Sequence, residues 1–338
     1  MKIGILTHPQ GINYGGILQG YALYTVLLKM GHEPIIIQRG LNRQFFVWEW
    51  IRAILRFFHF PRYYSPKDQF CEILPFLKKY FTRTKMIRSH RKMRQVCKKY
   101  NLDAVIVGSD QVWRADFAMK FGYNYFLDFV PDNIIKLSYA ASFGLSEWHY
   151  SPAQTTIIKE LLSRFNGISV REESGVSLCQ EYLSIKPELL LDPTMLLNHD
   201  DYDKITSKRL IKNKYIFVYW LGETAEIEND IEYYKAQGYD IASIYLRTDI
   251  TLPSIEDWLS YIKYADIILT DSFHGCVFSI ILNKTFRIYN NKLGGVDRLE
   301  TLIKTIDCKH MDNGLIHNPC LSNALKAKSY NFLMSYFK

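Results

Sequence analysis

Short apolar runs rich in β-branched residues alternate along the chain with longer stretches of helical length, and glycines or polar turns separate them. Runs at residues 2–6, 34–38, 103–108, 136–142, 167–170 and 189–191 show little polar alternation, the pattern of strands buried on both faces of a parallel sheet. Between them, 17–30, 68–79, 84–100 and 151–165 read as helices, the first closed by Gly31. After a helix at 199–206 and a lysine-rich polar stretch reaching Lys214, the pattern restarts. Strands are predicted at 215–220, 240–246, 266–270 and 285–289, helices at 225–237, 254–264, 276–282 and 296–306, and a final helix at 321–337. This alternation predicts an α/β fold: two Rossmann-like domains, 1–206 and 207–320, facing a central cleft, with a C-terminal helix over 321–338.

In an open parallel sheet the carboxyl ends of the strands open onto the ligand crevice, and the helix that follows offers unpaired N–H groups and a positive dipole. Four such ends carry chemistry here. Asp271-Ser272-Phe273-His274-Gly275 joins the strand at 266–270 to a helix of buried character, so an anion at that turn would meet His274. An isolated histidine is more often structural or capping, but a strand end beside a helix N-terminus favours function. The loop at 7–16 ends in Gly15-Gly16, which is neither GxGxxG nor a P-loop, so dinucleotide binding is unsupported. Those glycines are either turn chemistry or backbone facing the crevice. The strand at 103–108 delivers Ser109, Asp110, Gln111 and Trp113 together. A carboxylate and an amide can bond sugar hydroxyls while an indole covers a sugar face; otherwise Asp110 caps the next helix. Arg171 follows the strand at 167–170, where a planar fork can grip a carboxylate or phosphate, unless Glu172 or Glu173 neutralises it.

Composition narrows the partners. At 338 residues and 48% hydrophobic the chain can bury two cores. A net charge of +8 suits phosphorylated metabolites, anionic lipid or nucleic acid. The basic residues gather on no recognisable nucleic-acid module, so no nucleic-acid partner is expected. Six cysteines lack CxxC or Cys/His spacing; they read as reduced thiols, with neither a zinc site nor a disulfide framework implied. Nothing at the start resembles a secretory leader, and no run approaches the roughly 18 apolar residues of a membrane span, so a cytoplasmic protein is expected. One stretch, 40–64, mixes Phe45, Trp48, Trp50, Phe57 and Phe58 with Arg39, Arg43, Arg52, Arg56 and Arg62. It reads either as a peripheral contact with an anionic membrane surface, or as packing on the domain or a second subunit with the arginines solvated.

Motifs in chain order then point to a family: Asn13-Tyr-Gly-Gly with Gln19, Tyr21, Ala22 and Leu23; Val107-Gly-Ser-Asp110-Gln-Val-Trp113; Ser169-Val-Arg171-Glu; Leu191-Asp-Pro193-Thr; and Asp271-Ser-Phe-His274-Gly275. Over about residues 1 to 300 they resemble the polysaccharide pyruvyl transferase family. The resemblance implies a glycosyltransferase-B-like fold and transfer of the enolpyruvyl unit of phosphoenolpyruvate onto sugar hydroxyls, usually as a cyclic ketal, in building bacterial capsule, exopolysaccharide or cell-wall polymers. It implies His274 as general acid, Asp110 from the opposite domain as base, and Arg171 on phosphoenolpyruvate, helped by N–H groups after Gly275. Asn13, Gly15, Gly16, Gln111 and Trp113 fall on the acceptor side. Phosphoenolpyruvate is a donor substrate; no cofactor and no metal are called for. Some members carry an arginine where this chain has Ser272, followed here by Phe273, and Arg247 or Arg298 would have to restore that charge. The expected acceptor is a lipid-linked sugar or oligosaccharide, met in the cytoplasm or at the inner face of the membrane. A nucleotide-sugar glycosyltransferase of the same architecture, or a non-catalytic glycan-binding relative, are the alternatives.

Overall fold

The computed structural model describes residues 1–9, 11, 13–41, 72–222, 225–245, 252–289 and 296–337. Its first sheet is wholly parallel, in the order β2-β1-β3-β4-β5-β6, from β1 (Lys2–Leu6), β2 (Glu33–Ile36), β3 (Ala104–Asp110), β4 (Ile135–Ala141), β5 (Gly167–Val170) and β6 (Glu188–Leu189). Every residue of β3 is buried, as its unbroken apolar run requires of a strand covered on both faces. The second sheet contains β7 (Tyr215–Trp220), β8 (Asp240–Tyr245), β9 (Ile267–Thr270), β10 (Thr285–Ile288), β11 (Ile306–Asp312) and β12 (Leu315–Leu321), in the order β11-β12-β10-β9-β7-β8. Its β8-β7-β9-β10 half is parallel, while β12 and β11 run antiparallel at the edge.

That edge hairpin departs from the sequence reading, which ran a helix to 306 and placed no strand beyond it. Asn313 and Gly314 hold φ of 49° and 77°, the positive pair that a two-residue hairpin turn demands. A second departure lies at 84–100, read as one helix. Instead the backbone at 82–87 pairs with the end of β2 and the segment after it: Thr84 N donates to Ile36 O at 3.0 Å and Ile87 N to Gln38 O at 2.8 Å. Helix then survives only at His90–Met93 and Val96–Tyr100. Tertiary pairing outweighs local propensity there.

Seven helices position the site and are numbered here: α1 (Tyr14–Lys29), α2 (Pro152–Leu162), α3 (Glu173–Leu178), α4 (Ile255–Tyr264), α5 (Phe273–Ile281), α6 (Val296–Lys304) and α7 (Asn323–Tyr336). α1 begins earlier than its apolar pattern suggests, because the Asn13 side chain accepts from Gly16 N at 3.1 Å and caps the first turn. Its first residue reaches the other domain: Tyr14 stacks on Trp258 with centroids 5.3 Å apart and donates its hydroxyl to Pro253 O. One apolar cluster therefore runs from Ile3 and Tyr14 through Tyr219 and Trp258 to Phe332. α7 crosses back to the first domain, where Leu191 N donates to Ser329 Oγ at 3.0 Å, and a Cβ on Gly167 would lie 2.6 Å from the Tyr336 ring. Two Rossmann-like domains thus face one another with the carboxyl ends of β3, β5, β6 and β9 turned into the cleft between them.

Among the described residues no helix is long and apolar enough to cross a membrane. The basic aromatic stretch lies outside the described residues from 42 onward, as does Arg247. Arg39 is described and is no headgroup ligand: it is buried, donating from Nε to Asn124 Oδ1 at 2.7 Å and from Nη1 to Ile87 O. Cys97, Cys179 and Cys276 are free and buried. Cys320, whose backbone stands opposite Cys308 in the β11–β12 ladder, is disulfide-bonded, which corrects the expectation of thiols throughout.

Candidate active site

The turn after β9 is built by short-range polar bonds. Asp271 accepts from Leu221 N at 2.7 Å and Gly222 N at 2.9 Å, tying the β7 and β9 ends together. Thr270 Oγ1 donates to Tyr219 O and accepts from Ser272 N. A Cβ on Gly275 would come within 2.2 Å of that same Thr270 oxygen, so only glycine fits. Ser272 caps α5 by accepting from Gly275 N at 3.4 Å, and Cys276 N donates to Ser272 O at 3.0 Å. The helix consequently starts at Phe273, and the N–H groups of Gly275 and Cys276 are consumed inside the turn. They do not form the anion cradle that the sequence reading placed there, and Ser272 and Gly275 shape the turn rather than face a donor.

His274 is carried on the first turn of α5, 7% exposed, with its ring against α1. A Cβ on Gly15 would lie 2.0 Å from His274 Nδ1. Neither Gly15 nor Gly16 has positive φ, so the glycine pair is explained by close approach across the cleft and not by turn chemistry. Gln19, from the same motif, braces the strand ends: Nε2 donates to Thr7 Oγ1 and Gly16 O, while Oε1 accepts from Ser109 N at 3.0 Å.

The first domain answers with a buried charge network. Arg171 Nη1 donates to Asp192 Oδ2 at 2.8 Å, Nη2 lies 3.5 Å from Asp110 Oδ1, and the guanidinium sits 4.4 Å above the Phe273 ring. Asp192 has both oxygens occupied. Thr194 N and Oγ1 donate to Oδ1, and Ser109 Oγ donates to Oδ2 at 3.1 Å. His274 Nε2 lies 3.8 Å from Oδ2, a charge contact too long for a hydrogen bond. Burial opposes ionisation of Asp110, but Arg171, His8, His274 and Arg298 outweigh it and hold the carboxyl below its ordinary range. Asp192 is depressed in the same way, burial being overcome by His274, Arg171 and Thr194. Glu172 is pushed up by burial, which the neighbouring arginines do not offset; Oε1 accepts from Phe143 N, whereas Oε2 is buried without a hydrogen-bond partner, 3.9 Å from Arg171 Nε.

Arg298, on α6, differs from Arg171. Its Nε, like that of Arg171, is buried with no hydrogen-bond partner, but among the described residues Arg298 forms no ion pair, and burial together with repulsion from Arg171 pushes it down to about 10. With Arg171, Asp192, Phe273 and Thr301 it encloses a cavity of about 220 Å³ between the domains. On the other side of Asp110 a larger cavity, about 370 Å³, is lined by Asn13, Gly16, Gln111, His8, Phe117 and Lys120. Asp110 and Arg171 stand between the two. Trp113 lies in neither position expected of a sugar platform: it is fully buried, stacked on Phe126, with Nε1 donating to Tyr125 O. Phe117 lines the larger cavity instead, with Lys120 over its ring at 5.1 Å. The i, i+3 spacing of Phe117 and Lys120 was the available signal. Asp192 lay in a quoted motif without a role, because proline after it reads first as a turn. As for metals, His199, Asp200 and Asp203 bring ligand atoms within 4.8 Å of one another, but His199 and Asp200 are exposed and sit on a short surface helix.

Comparison with known proteins places this geometry. No curated protein sequence matches the chain. Among solved structures, a UDP-GlcNAc 2-epimerase from Methanocaldococcus jannaschii is similar with a TM-score of 0.48 and 16% identity, covering 99% of this chain and 100% of that one. A UDP-GlcNAc 2-epimerase from Neisseria meningitidis bound to UDP-GlcNAc gives 0.48 and 10%, over 90% and 86%. A spinosyn rhamnosyltransferase complexed with thymidine diphosphate gives 0.43 and 8%, over 100% and 91%. The family described as polysaccharide pyruvyl transferase matches residues 13–292, a span that takes in Asn13, Gly15, Asp110, Arg171, Asp192 and His274, and the chain belongs to that family.

Proposed function

We propose that this protein transfers the pyruvyl unit of phosphoenolpyruvate onto two hydroxyls of a sugar, forming a cyclic ketal on a lipid-linked precursor of a cell-surface polysaccharide. The observation that carries the reading is Arg298, a second-domain arginine with a buried Nε and, among the described residues, no ion pair, which faces the same space as Arg171 from the first domain. Two cations around about 220 Å³ suit a small, multiply anionic donor, and that volume is below the ~300 Å³ at which pockets for larger ligands begin. Arg298 supplies the charge that Ser272 does not.

In this scheme His274 gives a proton to the methylene carbon of the donor, and C2 gains oxocarbenium character. One acceptor hydroxyl, entering from the larger cavity, attacks C2 while Asp110, ionised at neutral pH, accepts its proton. A second hydroxyl closes the ketal as phosphate leaves. Of the two hydroxyl protons, one balances the proton delivered to carbon and the other departs with phosphate. Asn13, Gly16, Gln111 and Phe117 border the acceptor, no cofactor is used, and the basic aromatic stretch beyond Leu41 contacts anionic lipid.

The test is phosphate release from phosphoenolpyruvate by the purified protein with lipid-linked and free galactose-, glucose- and mannose-containing acceptors, beside His274→Ala. Expected are acceptor-dependent release, a product mass gain of one pyruvyl group, and a loss of roughly 10²-fold or more in the variant. Consumption of a nucleotide sugar with no binding of phosphoenolpyruvate by calorimetry would overturn the reading. Equal use of free acceptors, or no co-sedimentation with anionic vesicles, would remove the lipid-linked and membrane parts alone.

A further inference from the structure

The geometry points to Asp192 as the positioning residue for His274: it keeps a proton on Nε2 and leaves Nδ1 as the nitrogen that exchanges a proton in the cleft. The catalytic half of this inference rests on the role proposed above for His274; the tautomer itself does not.

Asp192 is 1% exposed and cannot turn away. Its Oδ1 is held by the amide and hydroxyl of Thr194, its Oδ2 by Ser109 Oγ and Arg171 Nη1. Three donors, with the Ser109 hydroxyl proton shared between Oδ2 and Ala140 O, fix an ionised carboxylate in place, and that fixed charge faces His274 Nε2 at 3.8 Å. Nε2 is buried and has no hydrogen-bond partner. In a neutral imidazole one nitrogen carries the proton and the other a lone pair. A lone pair on Nε2 would face the lone pairs of an anionic oxygen in a low-dielectric setting, whereas an N–H there is attracted to it. The neutral ring therefore keeps Nε2–H. Its other nitrogen, Nδ1, takes up the proton that is later delivered.

The surroundings of Nδ1 agree. Its neighbour is Gly15: a Cβ there would lie 2.0 Å away, so the glycine is what lets the α1 backbone and this edge of the ring approach one another without a side chain between them. Nε2, by contrast, is buried and faces the Asp192 carboxylate. The carboxylate holds one edge of the ring, and a glycine lines the other. One charge serves two cations, since the oxygen that faces His274 also holds Arg171 on the Phe273 ring.

The experiment is a two-dimensional ¹⁵N–¹H spectrum of the histidine-labelled full chain, recorded at a pH where His274 is neutral, with its signals assigned by their absence in His274→Gln. The parent is expected to show the Nε2–H tautomer. In Asp192→Asn the preference is lost or reversed, and turnover falls roughly 10²-fold or more, the scale of a misplaced general acid. Thr194→Val removes one bond to Oδ1 but keeps the charge, and retains Nε2–H. An Nδ1–H tautomer in the parent overturns the inference without any variant having to fold. If phosphoenolpyruvate is not the donor, the tautomer is unaffected. If Nδ1–H coexists with His274-dependent pyruvyl transfer, the inference fails and the proposed function stands.

Discussion

The two arginines of the cleft make opposite use of the same chemistry. Arg171 stands on the first-domain wall amid Asp110, Asp192 and Glu172, with a ring beneath it. Arg298 enters from the second-domain wall with no ion pair among the described residues and its charge disfavoured by burial. A buried cation that is already surrounded by carboxylates belongs to the architecture; one left short of partners is the group whose energy an incoming anion can lower. The sequence reading gave Arg171 the donor and held Arg298 in reserve. In the structure Arg171 is already paired with carboxylates and, among the described residues, Arg298 is not, which is why Arg298 is the proposed donor ligand.

Replacing each arginine by methionine breaks this contrast most directly. Arg171→Met strands Asp110 and Asp192 in the interior, and an expected loss of about 3–5 kcal/mol should appear as a large fall in the urea midpoint. Arg298→Met should leave the midpoint within about 1 kcal/mol, because little pairing is lost, while the donor KM rises on the order of tenfold or more. Equal destabilisation by both variants would erase the distinction. The smallest effect concerns pH. Asp110 and Asp192 have depressed folded-state values, so the stability they contribute is present above the ordinary Asp range, near pH 4, and is lost as pH falls below it. Glu172 has a raised value, so its ionisation costs stability as pH rises past the ordinary Glu range. Glu172→Gln should therefore gain stability relative to the parent at pH 7, with the gain shrinking as pH falls toward 4, in urea midpoints measured across that window.

How far the residues foretold this depends on what each signal reports. Strand runs such as Gly167–Val170 and Tyr215–Trp220 coincide with their predicted limits, because two-sided burial leaves an unbroken apolar string. Helix starts were placed late at Tyr14 and Phe273, since Asn13 and Ser272 look like loop residues until their caps are seen. The Asn313-Gly314 pair marked a hairpin, yet it sits among polar residues with weak alternation and was passed over. Trp113 was assigned by the strand end that delivers it, but the backbone turns after Asp110, at φ 72°, and carries the indole into the core. Proximity in sequence to a strand end predicts proximity to the crevice, not orientation. The same limit hid Asp192 and the contact between Gly15 and His274, which join residues far apart in the chain. Arg39 shows the converse, a cation that composition placed on a surface and that hydrogen bonds to Asn124 and backbone carbonyls hold inside.

The return of α7 to the first domain has a consequence for synthesis. Domains generally fold in the order in which they leave the ribosome. Here Tyr139 on β4, Gly167 on β5 and the turn at Leu191 that precedes Asp192 receive Phe332, Tyr336 and Ser329 only when the last helix emerges. The nascent first domain must wait, with that flank uncovered, through translation of the whole second domain. The carboxylate that braces both His274 and Arg171 is thus among the last parts of the molecule to be locked, and a chain released early would carry the cleft residues on an unfinished wall.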